Sequence, residues 1–223
     1  MARLHKALGI RRVVIVTPSV YGTNNNATLY GMDARGSGSA RGVAVIDDKT
    51  TEAELNKMSK EGFTGIRLNL ATGGTNDPKV GAEKLAAGIA RVRKLNWHVQ
   101  VYTNLAMIAA LKDQFADLLQ LVKTGKAYVK ISGAYRSSEK APDYADVMPL
   151  AKALIAANSN RIVWGTDWPH PNSVPLPGKT KNDVTPLFQI DDGALLNQLA
   201  LWAPDAAVRK RILVDNPERL YGF

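Results

Sequence analysis

The sequence contains no cysteine. Disulfides, thiolate metal sites and cysteine nucleophiles are thereby excluded, and their absence fits a cytoplasmic protein. Nor is there an apolar run near the roughly 20 residues that a membrane-spanning helix needs, so no membrane association is expected. The opening, Met1-Ala-Arg-Leu-His-Lys-Ala-Leu-Gly-Ile10, carries charge without a sustained apolar stretch, and no signal peptide is expected. Histidine is scarce, with His5, His98 and His170 only. The first apolar segment is not followed by G-x-G-x-x-G, which argues against a dinucleotide fold. Pro177-Gly178-Lys179-Thr180 has the tail of a phosphate-binding loop, but Ser173 stands where its first glycine belongs.

Acidic residues are the minority charge: 29 Lys and Arg face 20 Asp and Glu, a formal net charge of +9. Nucleic acid, an anionic membrane or a small anionic substrate would each suit that excess. The basic residues are scattered over helical segments, as in Arg91, Arg93 and Lys94, without zinc-finger or RNA-recognition spacing. No nucleic-acid partner is expected. A solvated surface and a small anionic carboxylate substrate remain.

What the chain does have is a regular alternation. Strands are expected over 13–17, 42–46, 65–70, 97–102, 127–132 and 161–166. Helices are expected over 27–35, 80–94, 105–112, 115–123, 144–157, 193–202 and 206–214. Thr51 and Glu54 form a capping-box pattern that opens one more helix, ending near Gly62. Spacing of about 30 residues between strands reads as βαβ units and a parallel sheet. The 223 residues, 45% hydrophobic, suffice for one α/β domain.

Strand side chains alternate faces, and three strands repeat one pattern. Ile66, Leu68 and Leu70 oppose Arg67 and Asn69; Val99 and Val101 oppose His98, Gln100 and Tyr102; Val129 and Ile131 oppose Tyr128, Lys130 and Ser132. A sheet covered by helices on both faces would bury Arg67 and Lys130 at high cost. A (β/α)8 barrel turns the polar sets inward, toward a mouth where water and substrate reach them. In the sixth strand, Ile162, Val163 and Trp164 run into Gly165, and Asp167 follows where the apolar run stops. Pro169 and Pro171 then bar the strand from continuing.

Four stretches together resemble the amidohydrolase-related family (amidohydrolase 2), in the branch of 2-pyrone-4,6-dicarboxylate lactonase. They are Gly65-Ile-Arg67, Ser132-Gly-Ala-Tyr-Arg136, Gly165-Thr-Asp-Trp-Pro-His-Pro171 and Asn216-Pro-Glu-Arg-Leu-Tyr-Gly-Phe223. The resemblance covers nearly the whole chain. It implies a TIM (β/α)8-like barrel over residues 1–223, a single domain that apparently lacks strand 1 and one interior strand. Family members open on a strand with a His-x-His pair, and they carry a strand ending in Asp-His between the helices expected here at 105–112 and 115–123.

The implied activity is hydrolysis of a carboxylated lactone or a related cyclic ester or amide. Asp167 would be the catalytic base that activates water. Arg67, Arg136 and Tyr102 match the family's substrate-binding positions, with Ser19 and Tyr21 as further contact candidates. Metal-dependent decarboxylation within the same family and non-catalytic binding of an anionic metabolite are the alternatives. A divalent metal such as zinc would be the family's cofactor, but three protein ligands are wanted and the expected histidines are absent. His5 is expected on a solvated helix, His98 in a structural role at a strand start, and His170 as a loop-shaping residue between prolines. No metal ligand is assigned.

Overall fold

In the computed structural model, residues 1–70, 78–102, 112–172, 178, 180 and 183–223 are described. The helix expected over 105–112, the glycine-rich loop at 71–77 and most of the loop segment 173–182 lie outside them. The chain divides into two compact units, residues 1–115 with 217–223, and residues 116–216.

The first unit is built on four parallel strands in sequence order: β1 (Val13–Val16), β2 (Ala40–Ala44), β3 (Phe63–Asn69) and β4 (His98–Tyr102). Around them run α1 (Ala2–Ala7), α2 (Asn26–Arg35), α3 (Glu52–Lys60) and α4 (Pro78–Val92). The core forms where apolar strand faces meet helix stripes: Met32 of α2, Leu55 of α3 and Val92 of α4 close on Ala40, Ala44, Phe63, Ile66 and Trp97. Ile66 and Leu70 are buried, as their face of the strand requires, whereas Val101 is exposed.

β2 starts and ends two residues earlier than the apolar pattern indicates. Its early end is set by Asn25, whose side-chain amide donates to the Val45 carbonyl (2.9 Å) and accepts from the Val45 N–H (2.9 Å), taking both groups away from the ladder. The same Asn25 accepts from the Thr17 hydroxyl at 2.8 Å, and Thr17 lies 2.7 Å from the Thr28 hydroxyl. A buried polar knot therefore sits just past β1.

The second unit holds β5 (Val129–Ile131) parallel to β6 (Ile162–Trp164). Its helices are α5 (Lys112–Lys123), whose first residues belong to the other unit, α6 (Met148–Ala157), α7 (Asp192–Trp202) and α8 (Ala206–Lys210). A π-helical turn (Arg211–Asp215) leads from α8 to α9 (Asn216–Tyr221). Asn216 is fully buried and donates to the Ser159 and Ile162 carbonyls at 2.8 and 2.6 Å, tying the chain back to the start of β6. Both strands are shorter than expected; at their starts the Ala127 N–H donates to the Leu121 carbonyl and the Arg161 N–H to the Asn158 carbonyl, outside any ladder.

His5 departs from expectation. It is 6% exposed, buried on the inner side of α1 instead of solvated. The α1 helix has only two turns, and its period places His5 inward.

Candidate active site

Parallel strands deliver their functional side chains at their C-terminal ends. In the second unit those ends are followed by two tight turns. After β5, Gly133 adopts φ +61, and a 3₁₀ turn (Ala134–Arg136) projects Tyr135 and Arg136. After β6, Asp167 and His170 both adopt left-handed backbone, φ +64 and +61. Neither is glycine, and such positions are costly unless the surroundings impose them. They are imposed here: the His170 N–H donates to the Asp167 carbonyl, and the Phe188 N–H to the His170 carbonyl, each at 3.0 Å.

The two turns meet at one carboxylate. Arg136 Nε donates to Asp167 Oδ2 at 2.5 Å, and the Tyr135 hydroxyl donates to the same oxygen at 2.8 Å. Oδ1 carries neither contact. Arg136 Nη2 also donates to the Pro171 carbonyl at 3.1 Å, and its guanidinium lies over the Tyr135 and Phe188 rings at 5.0 and 5.9 Å. Gly133 is needed beneath this contact, since a Cβ there would stand 3.0 Å from Asp167 Oδ2. The Asp167 side chain keeps 29% of its surface accessible, so water reaches it. The Tyr135 phenol is pushed up by burial and then by its hydrogen bond to Asp167, with Arg136 opposing, so it keeps its proton at neutral pH.

Behind Tyr135 the network continues. His170 Nδ1 lies 3.2 Å from the Tyr135 oxygen, and His170 Nε2 lies 3.2 Å from Asp192 Oδ2 at the start of α7. His170 does sit in a strained loop between prolines, but its ring is a buried bridge between the Tyr135 and Asp192 side chains. Tyr135 and Asp192 are absent from the expected site. Tyr135 lies within the Ser132–Arg136 motif, beside the arginine that drew attention. Asp192 follows the α7 cap Asp191, and nothing in its neighbours separates it from an ordinary first-turn acid.

The first unit carries the remaining candidates. Arg67 projects from β3, and its guanidinium lies over the Tyr102 ring at the end of β4, 4.6 Å from the centroid. Ser19 and Tyr21 occupy an exposed 3₁₀ turn just after β1. His98, the first residue of β4, packs edge-on to Tyr221 at 5.2 Å and fills the space that a side chain at Gly65 would need. Burial lowers its basicity, against a hydrogen bond to the Thr64 backbone. Among the described residues, no three His, Asp or Glu side chains stand together as a metal-ligand set. The residues described do not fit a catalytic zinc centre.

The profile of the amidohydrolase family matches this chain over residues 1–122 and 112–223. The chain belongs to the amidohydrolase family. It is 31% identical to a 4-sulfomuconolactone hydrolase of Hydrogenophaga intermedia, over 99% of this chain and 77% of that protein. It is 31% identical to a D-galactarolactone isomerase of Agrobacterium fabrum (98% and 79%), and 30% to a 2-pyrone-4,6-dicarboxylate hydrolase of Comamonas testosteroni (98% and 78%). A ligand-free crystal structure from Agrobacterium tumefaciens superposes with a TM-score of 0.79 at 30% identity, covering all of this chain and 84% of the other.

The α/β fold with parallel strands is thus that of a TIM-barrel-like amidohydrolase. The first of those alignments spans 251 positions against 223 residues here, so this relative carries residues that this amidohydrolase does not. The two profile segments overlap at 112–122. Among the described residues no helix is long and apolar enough to cross a membrane.

Proposed function

We propose that this amidohydrolase opens the ring of a small carboxylated lactone, with Asp167 as general base. The observation that carries the reading is the Asp167 carboxylate itself. It stands just past β6 on a left-handed backbone, with one oxygen clamped by Arg136 and Tyr135 and the side chain still open to water. Asp167 Oδ1 takes a proton from water, and the oxygen attacks the lactone carbonyl. The ring C–O bond then breaks, and the departing oxygen recovers the proton from Asp167. Arg67 and Arg136 are the candidate partners for substrate carboxylates, since a guanidinium fork matches a carboxylate in two charge-assisted bonds. Tyr102, under the Arg67 guanidinium, and Ser19 and Tyr21, in the turn after β1, are further candidate contacts.

The similarity to lactone hydrolases supports this substrate class. The similarity to a lactone isomerase favours a second reading with the same base. In it a hydroxyl of the substrate, not water, is deprotonated and attacks, so one lactone becomes another. Incubation with 4-sulfomuconolactone, 2-pyrone-4,6-dicarboxylate and galactarolactone, with products resolved by mass and NMR, separates the two: hydrolysis adds the mass of water and isomerisation does not. Asp167→Asn should lower kcat/KM by about 10²–10⁴-fold on the substrate that reacts. Unchanged turnover in that variant would remove Asp167 from the base role.

A further inference from the structure

The chemistry above uses Asp167 and leaves a buried acid–imidazole pair behind it. His170 is 4% exposed and Asp192 7% exposed, and the latter's Oδ1 finds no partner among the described residues. A carboxylate buried at that depth is costly unless its position serves something.

Counting protons shows what it serves. The Tyr135 hydroxyl has one proton, and it lies on the 2.8 Å contact to Asp167 Oδ2, an oxygen that as carboxylate only accepts. The Tyr135 oxygen must therefore be the acceptor at its 3.2 Å contact with His170, which requires a proton on Nδ1. On its other side the imidazole is tied through Nε2 to Asp192 Oδ2, 3.2 Å away. Its placement is rigid: Asp192 is fixed in the first turn of α7, and the Tyr135 ring is packed edge-on by both His170 (5.6 Å) and Phe188 (5.4 Å).

We infer that His170 and Asp192 are positioning residues: by presenting Nδ1–H to the Tyr135 oxygen they oblige the phenol to donate to Asp167, which pins Oδ2 and leaves Oδ1 as the reacting oxygen. The inference rests on the reading of Asp167 as base. Without Nδ1–H, Tyr135 is free to turn its proton toward the imidazole, and Asp167 loses one of its two clamps.

Two measurements test it. In the 15N-labelled intact protein without substrate, His170 Nδ1 should show the shift and directly bonded proton of a protonated nitrogen. An unprotonated Nδ1 would overturn the assignment, whatever the protein hydrolyses. On a reacting lactone, His170→Asn, whose side chain tolerates the left-handed backbone, should lower kcat by about tenfold to a hundredfold, the scale of one hydrogen bond to a charged group, with KM little changed. Asp192→Asn should behave alike. In a Tyr135→Phe background neither substitution should lower kcat further, because both act through the phenol. Additive losses would show a merely structural role. Absence of any lactone turnover by the unsubstituted protein would defeat the base reading, while the nitrogen shift would still decide where the proton lies.

Discussion

Asp167 shows how a residue's position and its partners are set by different means. Its position follows from the end of an apolar strand run and the prolines after it, all within a few residues. Its partners come from 31 and 32 residues away, from a turn whose glycine admits them. His98 is a second case, and it has a consequence for stability. Burial holds its folded-state basicity below the ordinary value of 6.5, so the unfolded chain binds the proton more readily. The stability tied to neutral His98 is present above 6.5, begins to fall below it, and is lost as pH drops through the lower folded-state value. Urea unfolding at pH 7.5 and pH 5.5 should show lower stability at the acid pH. His98→Gln, which cannot protonate, should shrink that difference, and an unaltered difference would assign it to other groups.

Elements divide in the same way. The α3 start is local: the Thr51 hydroxyl accepts from the Glu54 N–H, and the Glu54 carboxylate accepts from both the Thr51 N–H (2.7 Å) and its hydroxyl (2.8 Å). Thr51→Ala should cost about 1 kcal/mol in denaturant unfolding, the usual value of a lost N-cap. A change near zero would mean that packing of Leu55 alone holds the helix. The limits of β2 are not local, because the group that ends the ladder at Val45 is an asparagine 20 residues earlier. Apolar patterning over 42–46 cannot register that competition, since it records burial and not who takes each backbone group.

For the whole molecule, the net charge of +9 acts over distance. If the substrate is an anionic lactone, that charge favours its approach, and salt weakens the effect as the screening length falls from about 10 Å at 0.1 M to about 3 Å at 1 M. Raising sodium chloride across that range should increase KM for a dicarboxylate lactone several-fold and leave kcat nearly unchanged. A KM indifferent to salt would mean that recognition relies on short contacts shielded from solvent. At this scale the family resemblance was legible because its motifs are spread along the chain, from Gly65 to Phe223, and no single one needed to be decisive.

Composition and periodicity were enough for the parallel α/β architecture, the α3 cap and the place of Asp167 just past a strand end. These obey rules that operate across one to four neighbours. The burial of His5, the early end of β2 and the chain from Asp192 through His170 and Tyr135 to Asp167 came from packing. Each link in that chain joins residues 22 to 35 positions apart, and a hydrogen bond is assigned by which donor arrives within about 3.2 Å, a choice made only when the turns after β5 and β6 close on each other.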